Sequence, residues 1–150
     1  MKRMGQLSAV TAALAAAAGI ALLPALIPAT PASATPSCAG TSLVRGLNLS
    51  SLQVSNIRVP TSANGNGVFN CLLGAGNAGT AVSRLQIGLN DCNLHAGLAV
   101  DGIYGPATQT AVRNAQRHYG IAADGVYGPQ TAAVLRWPVA GNSSVCDIIF

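Results

Sequence analysis

The chain contains no glutamate, and its single lysine is Lys2. Its acids are Asp91, Asp101, Asp124 and Asp147, and charged residues make up only 8% of the sequence. Beyond the first three residues the cations are Arg45, Arg58, Arg84, Arg113, Arg117 and Arg136. Six arginines against four aspartates make a field too weak for a nucleic-acid partner, though one compatible with loose association with an anionic polymer. The absence of glutamate also weighs against metal-assisted hydrolysis, which needs a third ligand and a carboxylate base beside His95 and His118. Those two histidines form no HxxH pair, so the sequence implies no metal, no cofactor and no enzymatic activity. Aromatics are scarce at 4%, but half of the residues are hydrophobic, which excludes a disordered chain. A length of 150 residues excludes a large enzyme with a separate substrate domain.

Much of the hydrophobicity lies at the start. Lys2 and Arg3 precede an Ala-rich run from Leu7 to Leu23, broken only by polar Ser8 and Thr11. Pro24, Pro28 and Pro31 follow, then Ala32-Ser33-Ala34. A basic start, an apolar stretch and a small-residue site predict a signal peptide over 1–34, cleaved after Ala34, and a secreted or wall-located product. The competing reading is a retained membrane anchor; alanine has little insertion drive, so no stable membrane insertion is expected after cleavage. Thr35-Pro36-Ser37 before Cys38 does not suit lipid attachment.

Four cysteines in an exported chain predict two disulfides rather than a catalytic thiol, and three connectivities are open. The expected pairs are Cys71–Cys92, bracketing a predicted helix, and Cys38–Cys146, tying the tail down.

The most informative pattern is internal. Asp101-Gly-Ile-Tyr-Gly-Pro-Ala-Thr108 returns 23 residues later as Asp124-Gly-Val-Tyr-Gly-Pro-Gln-Thr131, with six of eight positions identical. In each, Asp-Gly is a turn whose carboxylate accepts backbone N–H groups while Gly102 or Gly125 takes a positive φ. Gly105 and Gly128 then lead into a proline at the first helical position, where its missing N–H costs nothing. Thr108 and Thr131 are expected to bond the free N–H groups of those first turns. A helix is predicted from Pro106 to about Tyr119, with Thr108, Ala111, Val112, Ala115 and Tyr119 on one stripe. Gly120 ends it. A shorter helix is predicted from Pro129 to Arg136, stopped by Trp137-Pro138. Upstream, Thr80 is expected to cap a helix over 81–92 with Val82, Leu85 and Leu89 inward, although Gly88 weakens it by about 1 kcal/mol relative to alanine.

Residues 35–79 read as extended. Ile57–Pro60 and Val68–Leu73 flank the turn-rich Thr61–Gly67, predicting a hairpin, and Leu43-Val44 with Leu52–Val54 supply a further strand. This region is expected to pack over the first helix near Ile87.

Val82, Leu85-Gln86, Leu89, the two octets, Ala111-Val112, Gln116, Gly120-Ile121 and Leu135 resemble the peptidoglycan-binding-like domain, a three-helix module of bacterial cell-wall hydrolases and small secreted proteins. Ala115 departs from the family pattern, which places a large aromatic before that glutamine. The resemblance implies a mainly α fold: a three-helix bundle over 80–137, preceded by an extended, disulfide-linked segment at 35–79 and followed by a docked tail at 138–150. It implies a secreted, non-catalytic, monomeric module that binds peptidoglycan or its fragments. An interaction or inhibitor protein on the same scaffold, or a cell-wall hydrolase, are the alternatives.

The candidate ligand contacts are Tyr104 and Tyr127, as rings against sugar or stem peptide, and Arg113, Asn114 and Arg117, as a polar helix face. Each also has a structural reading: the rings as plugs for their turns, the polar face as a solvated one. Asp101, Gly102, Gly105, Asp124, Gly125 and Gly128 are assigned to the turns, and Gln86 and Gln116 to bonding the Asp-Gly loops. Trp137 is expected to plug the core at the end of the last helix.

Overall fold

The computed structural model describes residues 35–48, 51–62 and 70–149. The predicted signal peptide 1–34, residues 63–67 of the predicted turn, and Val68-Phe69 of its second flank lie outside the described residues. The elements run β1 (Cys38–Asn48), β2 (Gln53–Ser62), α1 (Thr80–Asp91), α2 (Pro106–His118), α3 (Pro129–Val134), β3 (Trp137–Val139) and β4 (Asn142–Ile149).

The four strands are antiparallel and close on themselves in the order β1-β2-β3-β4. β1 and β2 pair along their whole length, from Cys38 opposite Ser62 to Asn48 opposite Gln53. β3 joins through Ile57 opposite Val139, β4 through Trp137 opposite Asp147, and β4 returns to β1 through Gly46 opposite Ile149. On β2 the period-2 pattern is plain: Ile57 and Val59 are fully buried while Arg58 between them is exposed. Gly46 lets β1 approach closely, since a Cβ there would lie 2.9 Å from Ile57 Cγ2 and 3.0 Å from Asp147 Cβ.

This overturns the expectation of a mainly α three-helix bundle. Strands occupy both ends of the described chain, and three short helices lie between them. Local pattern marked parts of β1 and β2 as extended but not the closed sheet, because its closing pairings, β1 with β4 and β2 with β3, join segments distant in sequence: the tail expected merely to dock is β4, a full member of the sheet. Trp137-Pro138, expected to stop a helix, begins β3 instead, and α3 ends at Val134 rather than Arg136. The partner of β2 is β1, across residues 49–52, and not the Val68–Leu73 segment, whose Leu72 and Leu73 make single bridges to Ser37 and Tyr127.

The disulfides are Cys38–Cys71 and Cys92–Cys146, not the expected Cys71–Cys92 and Cys38–Cys146. The first ties β1 to the segment entering the helices, and the second ties the end of α1 to β4. Closing loops with separations of 33 and 54 residues stabilises the fold by about 4 kcal/mol each in the chain-entropy treatment.

α1 lies across the barrel. Val82, Leu85 and Leu89 point into a core shared with Ile57, Val59, Trp137 and Leu135. Arg84 reaches over the sheet, donating from Nε to the Arg58 carbonyl at 2.5 Å and from Nη2 to the Pro138 carbonyl at 2.9 Å. Thr80 does not cap α1; the N-cap is Gly79, at φ +118°, whose N–H donates to the Gly102 carbonyl at 2.8 Å. α2 starts at Pro106 and ends in paired bonds from Gly120 N–H to Arg117 and from Ile121 N–H to Gln116, with Gly120 at φ +71°.

Gly88 sits where α1 meets Trp137, and a Cβ there would lie 3.0 Å from Cε3 and Cζ3 of the fully buried ring. Gly88→Ala gains about 1 kcal/mol of helix propensity but overpacks an immobile indole, at a cost of about 1–3 kcal/mol. We expect a lower urea midpoint for the variant; a higher midpoint would show that the indole yields.

Candidate ligand-binding groove

α2 is positioned at both ends by buried side-chain amides. From α1, Gln86 accepts the Gly102 N–H on Oε1 at 2.9 Å, and its Nε2 lies within donating distance of Asp101 Oδ1 (2.8 Å), the Ile103 carbonyl (3.1 Å) and Thr108 Oγ1 (3.1 Å). From α2, Gln116 accepts the Gly125 N–H at 2.8 Å, and its Nε2 lies within donating distance of Asp124 Oδ1 (2.7 Å), the Val126 carbonyl (3.0 Å) and Thr131 Oγ1 (3.1 Å). The glutamines thus read the backbone of the Asp-Gly corners. Gly102 and Gly125 take φ +73° and +75°. Thr108 and Thr131 do not bond free N–H groups as expected: their hydroxyls donate to the Ile103 and Val126 carbonyls, and the N-caps are Gly105 and Gly128 without side-chain caps. The likeness stops at the corners, because α2 has 13 residues and α3 only six before the chain returns to the sheet.

Each corner carboxylate is committed to its own turn. The Ile103 N–H, and next the Gln86 amide, hold the Asp101 carboxyl below the usual aspartate range. The Val126 N–H does the same for Asp124, helped by Gln116 and opposed by desolvation. Neither is placed as a general acid or base.

Tyr104 and Tyr127 are 1% and 0% exposed, which corrects their assignment as ligand contacts. Tyr104 donates its hydroxyl to the Gly125 carbonyl at 2.9 Å, pinning the first corner to the second. Tyr127 packs edge-on to Trp137 with ring centroids 6.0 Å apart, and its backbone pairs with Leu73. Burial raises both phenols' pKa. Trp137 is likewise wholly buried, at the first residue of β3.

The three polar candidates of α2 do not form one patch. Arg113 lies along the second corner, where a Cβ on Gly125 would come within 2.9 Å of its Nε, and its charge acts on Asp124. Arg117 turns toward Asn114, donating from Nη1 to Oδ1 at 3.0 Å. Asn114 also lines a groove of about 670 Å³ between α2 and the loop after α1. Leu94, Leu98, Ala107 and Ala111 give this groove an apolar lining; His95, Thr110 and Asn114 supply its polar groups.

The loop wall is held by several side-chain bonds and a disulfide. Leu94 and His95 are consecutive non-glycine residues with positive φ, +58° and +45°, a costly conformation that persists only where its surroundings impose it. Asn90 donates to the Leu98 carbonyl and accepts the Leu98 N–H, both at 2.8 Å, and the Asn90 carbonyl meets His95 Nδ1 at 3.1 Å. Buried Asn93 donates to the carbonyls of Gly88 and Arg136 and accepts from the Arg136 N–H and the Tyr119 hydroxyl. The Cys92–Cys146 bridge fixes the loop's first residue. Sequence reasoning weighed His95 only as a metal ligand and passed over Asn90, Asn93, Leu94 and Leu98. The signal was present in two asparagines and Gly97 closing a segment between a helix and an octet, a composition that favours side-chain-bonded turns. Among the described residues no group of three or more His, Cys, Asp or Glu could hold a metal ion.

Residues 78–135 match the family model described as "Putative peptidoglycan binding domain". Among curated proteins none matches. Among solved structures, the chain is similar to a peptidoglycan-binding protein from Clostridioides difficile in complex with glutamine hydroxamate, at 26% identity over 61% of this chain and 54% of that one, with a TM-score of 0.41. It thus spans about half the length of that relative. It is also similar to the SleB N-terminal domain, at 35% identity over 41% of this chain and 84% of that one, with a TM-score of 0.39.

Because both corner carboxyls ionise more readily folded than unfolded, the stability they contribute is present above about pH 4, the unfolded aspartate value, and is lost as pH falls through their lower folded values. The thermal midpoint should therefore drop on acidification from about pH 5 to about pH 2, and Asp124→Asn should make that drop shallower. Equal slopes for the two proteins would show that the corner carboxylate carries none of the acid sensitivity.

Proposed function

Residues 78–135 belong to the peptidoglycan-binding domain family, and on that premise we propose that the protein is a non-catalytic module that attaches to peptidoglycan through the groove between α2 and the 94–99 loop. The observation that carries the reading is the bonded, left-handed wall of that groove. Consecutive left-handed residues bonded by Asn90 and Asn93 and anchored by a disulfide hold Leu94 and His95 facing α2. The lining suits the polymer's chemistry. Methyl groups of alanyl or acetyl units meet Leu94, Leu98 and Ala111, while their amides meet Asn114 and Thr110. Arg117, bonded to Asn114, stands at the edge as a partner for a stem-peptide carboxylate.

The two disulfides and the domain itself support an extracytoplasmic location. Export by a cleaved signal ending at Ala34, and action as a monomer, complete the proposal. The absence of catalysis is supported by the commitment of Asp101 and Asp124 to their own corners.

The test is co-sedimentation of the purified protein with insoluble peptidoglycan. Leu94→Asn tolerates the left-handed backbone while removing the apolar wall, and Asn114→Ala removes the amide. Each should lower affinity about fivefold, corresponding to about 1 kcal/mol. Sedimentation of wild type and both variants in equal amounts would place binding elsewhere, and wild type left wholly in the supernatant would remove the function.

A further inference from the structure

On the barrel side, in a region that shares no residue with the α2 groove, the β3–β4 turn overhangs a second groove of about 470 Å³. Arg58, Arg84, Ile87, Asn142 and Ser143 line it, and no acidic residue does among the described residues. Two arginines from different elements line it, close enough for the charge of one to act on the other. Arg84 projects from α1 over the sheet and is aimed by its bonds to the Arg58 and Pro138 carbonyls, which occupy Nε and Nη2. Arg58 lies on the exposed face of β2, bonded through Nη1 to Thr41 Oγ1 at 3.3 Å.

The arrangement is electrostatically unfavourable as it stands. Arg84 is half-buried, and its guanidinium is pushed to a lower pKa first by desolvation and then by the charge of Arg58; Asp91 counteracts this more weakly. Like charges drawn together in a concave, partly dry site with no acid in its lining are stabilised when an anion enters. Arg84 keeps its Nη1 edge uncommitted among the described residues, Arg58 keeps its remaining donors, and Ser143 lines the same groove.

We propose that the groove between α1, β2 and the β3–β4 turn is an anion site for the oxyanion groups of a charged wall polymer, held between the Arg58 and Arg84 guanidiniums. Phosphodiester and carboxylate groups share that chemistry. A low-affinity site of this kind, facing a polyanion that carries many equivalent oxyanions, would keep the module near its wall by repeated rebinding, independently of the α2 groove.

The experiment is an NMR titration of the purified protein with inorganic phosphate and, separately, with acetate, each against sodium chloride at matched ionic strength. The predicted result is saturable shifts at the amides of residues 140–143 and at Arg84 Nε–H, with at least one of the two anions, weakened about fivefold or more in Arg58→Gln. The stronger anion identifies the source as phosphodiester or carboxylate. Arg58 is exposed and, among the described residues, its side chain bonds Thr41 alone, so an unchanged spectrum elsewhere reports that the variant is folded. Chloride giving the same shifts as both anions, or Arg58→Gln titrating like wild type, would overturn the proposal.

Discussion

The structure depends on the ability of a buried primary amide to satisfy a tight corner of backbone. An Asp-Gly turn that launches a helix leaves inward-facing polar groups, and in this molecule the Gly102 and Gly125 N–H groups and the Ile103 and Val126 carbonyls meet the amides of Gln86 and Gln116. Unsatisfied, each such buried group would cost about 1–3 kcal/mol. Because Gln86 comes from α1 and Gln116 from α2, each helix grips the corner that begins the next one. α2 is thereby fixed at its first residue by α1 and at its last turn by the corner of α3. The α2 side of the groove inherits its position from those bonds, and Tyr104 links the corners through the Gly125 carbonyl.

The barrel plays a different part. Its four strands have little pairing between β2 and β3, and its interior is closed by Trp137 against α1. The disulfide from Cys92 to Cys146 joins the groove's loop to β4, so the sheet acts as the bracket that holds the strained Leu94-His95 backbone. The same sheet brings Arg58 and Arg84 together, because α1 must lie across β2 for its apolar stripe to be buried. One packing decision thus sets both proposed surfaces.

The parts that were legible from sequence are those governed by local chemistry. The octets declared their turns through Asp-Gly, Gly-Pro and the 23-residue spacing, the bounds of α1 and α2 followed from periodicity, and the glutamines could be assigned to the loops. The parts that were not legible depend on distant partners. β4 carries an inward acid, Asp147, bonded to the Ser55 hydroxyl, and so lacks the alternation of a half-buried strand. The cysteine pairing followed the sheet and not the helix that two cysteines bracket. Tyr104 and Tyr127 stand in a corner motif where side chains could point either way, and only the packed core decides that they point inward. The groove was missed because its wall comes from a connecting loop, whose asparagines bond backbone and leave no periodic trace.

The central claim is that the surface between α2 and the 94–99 loop receives the wall polymer. Backbone-amide mapping of the purified protein with a soluble disaccharide-peptide fragment of peptidoglycan tests it most directly. Saturable shifts concentrated at residues 94–99 and 107–114 are what this account predicts. Shifts concentrated at the exposed outer face of the barrel, with the groove unmoved, would contradict it.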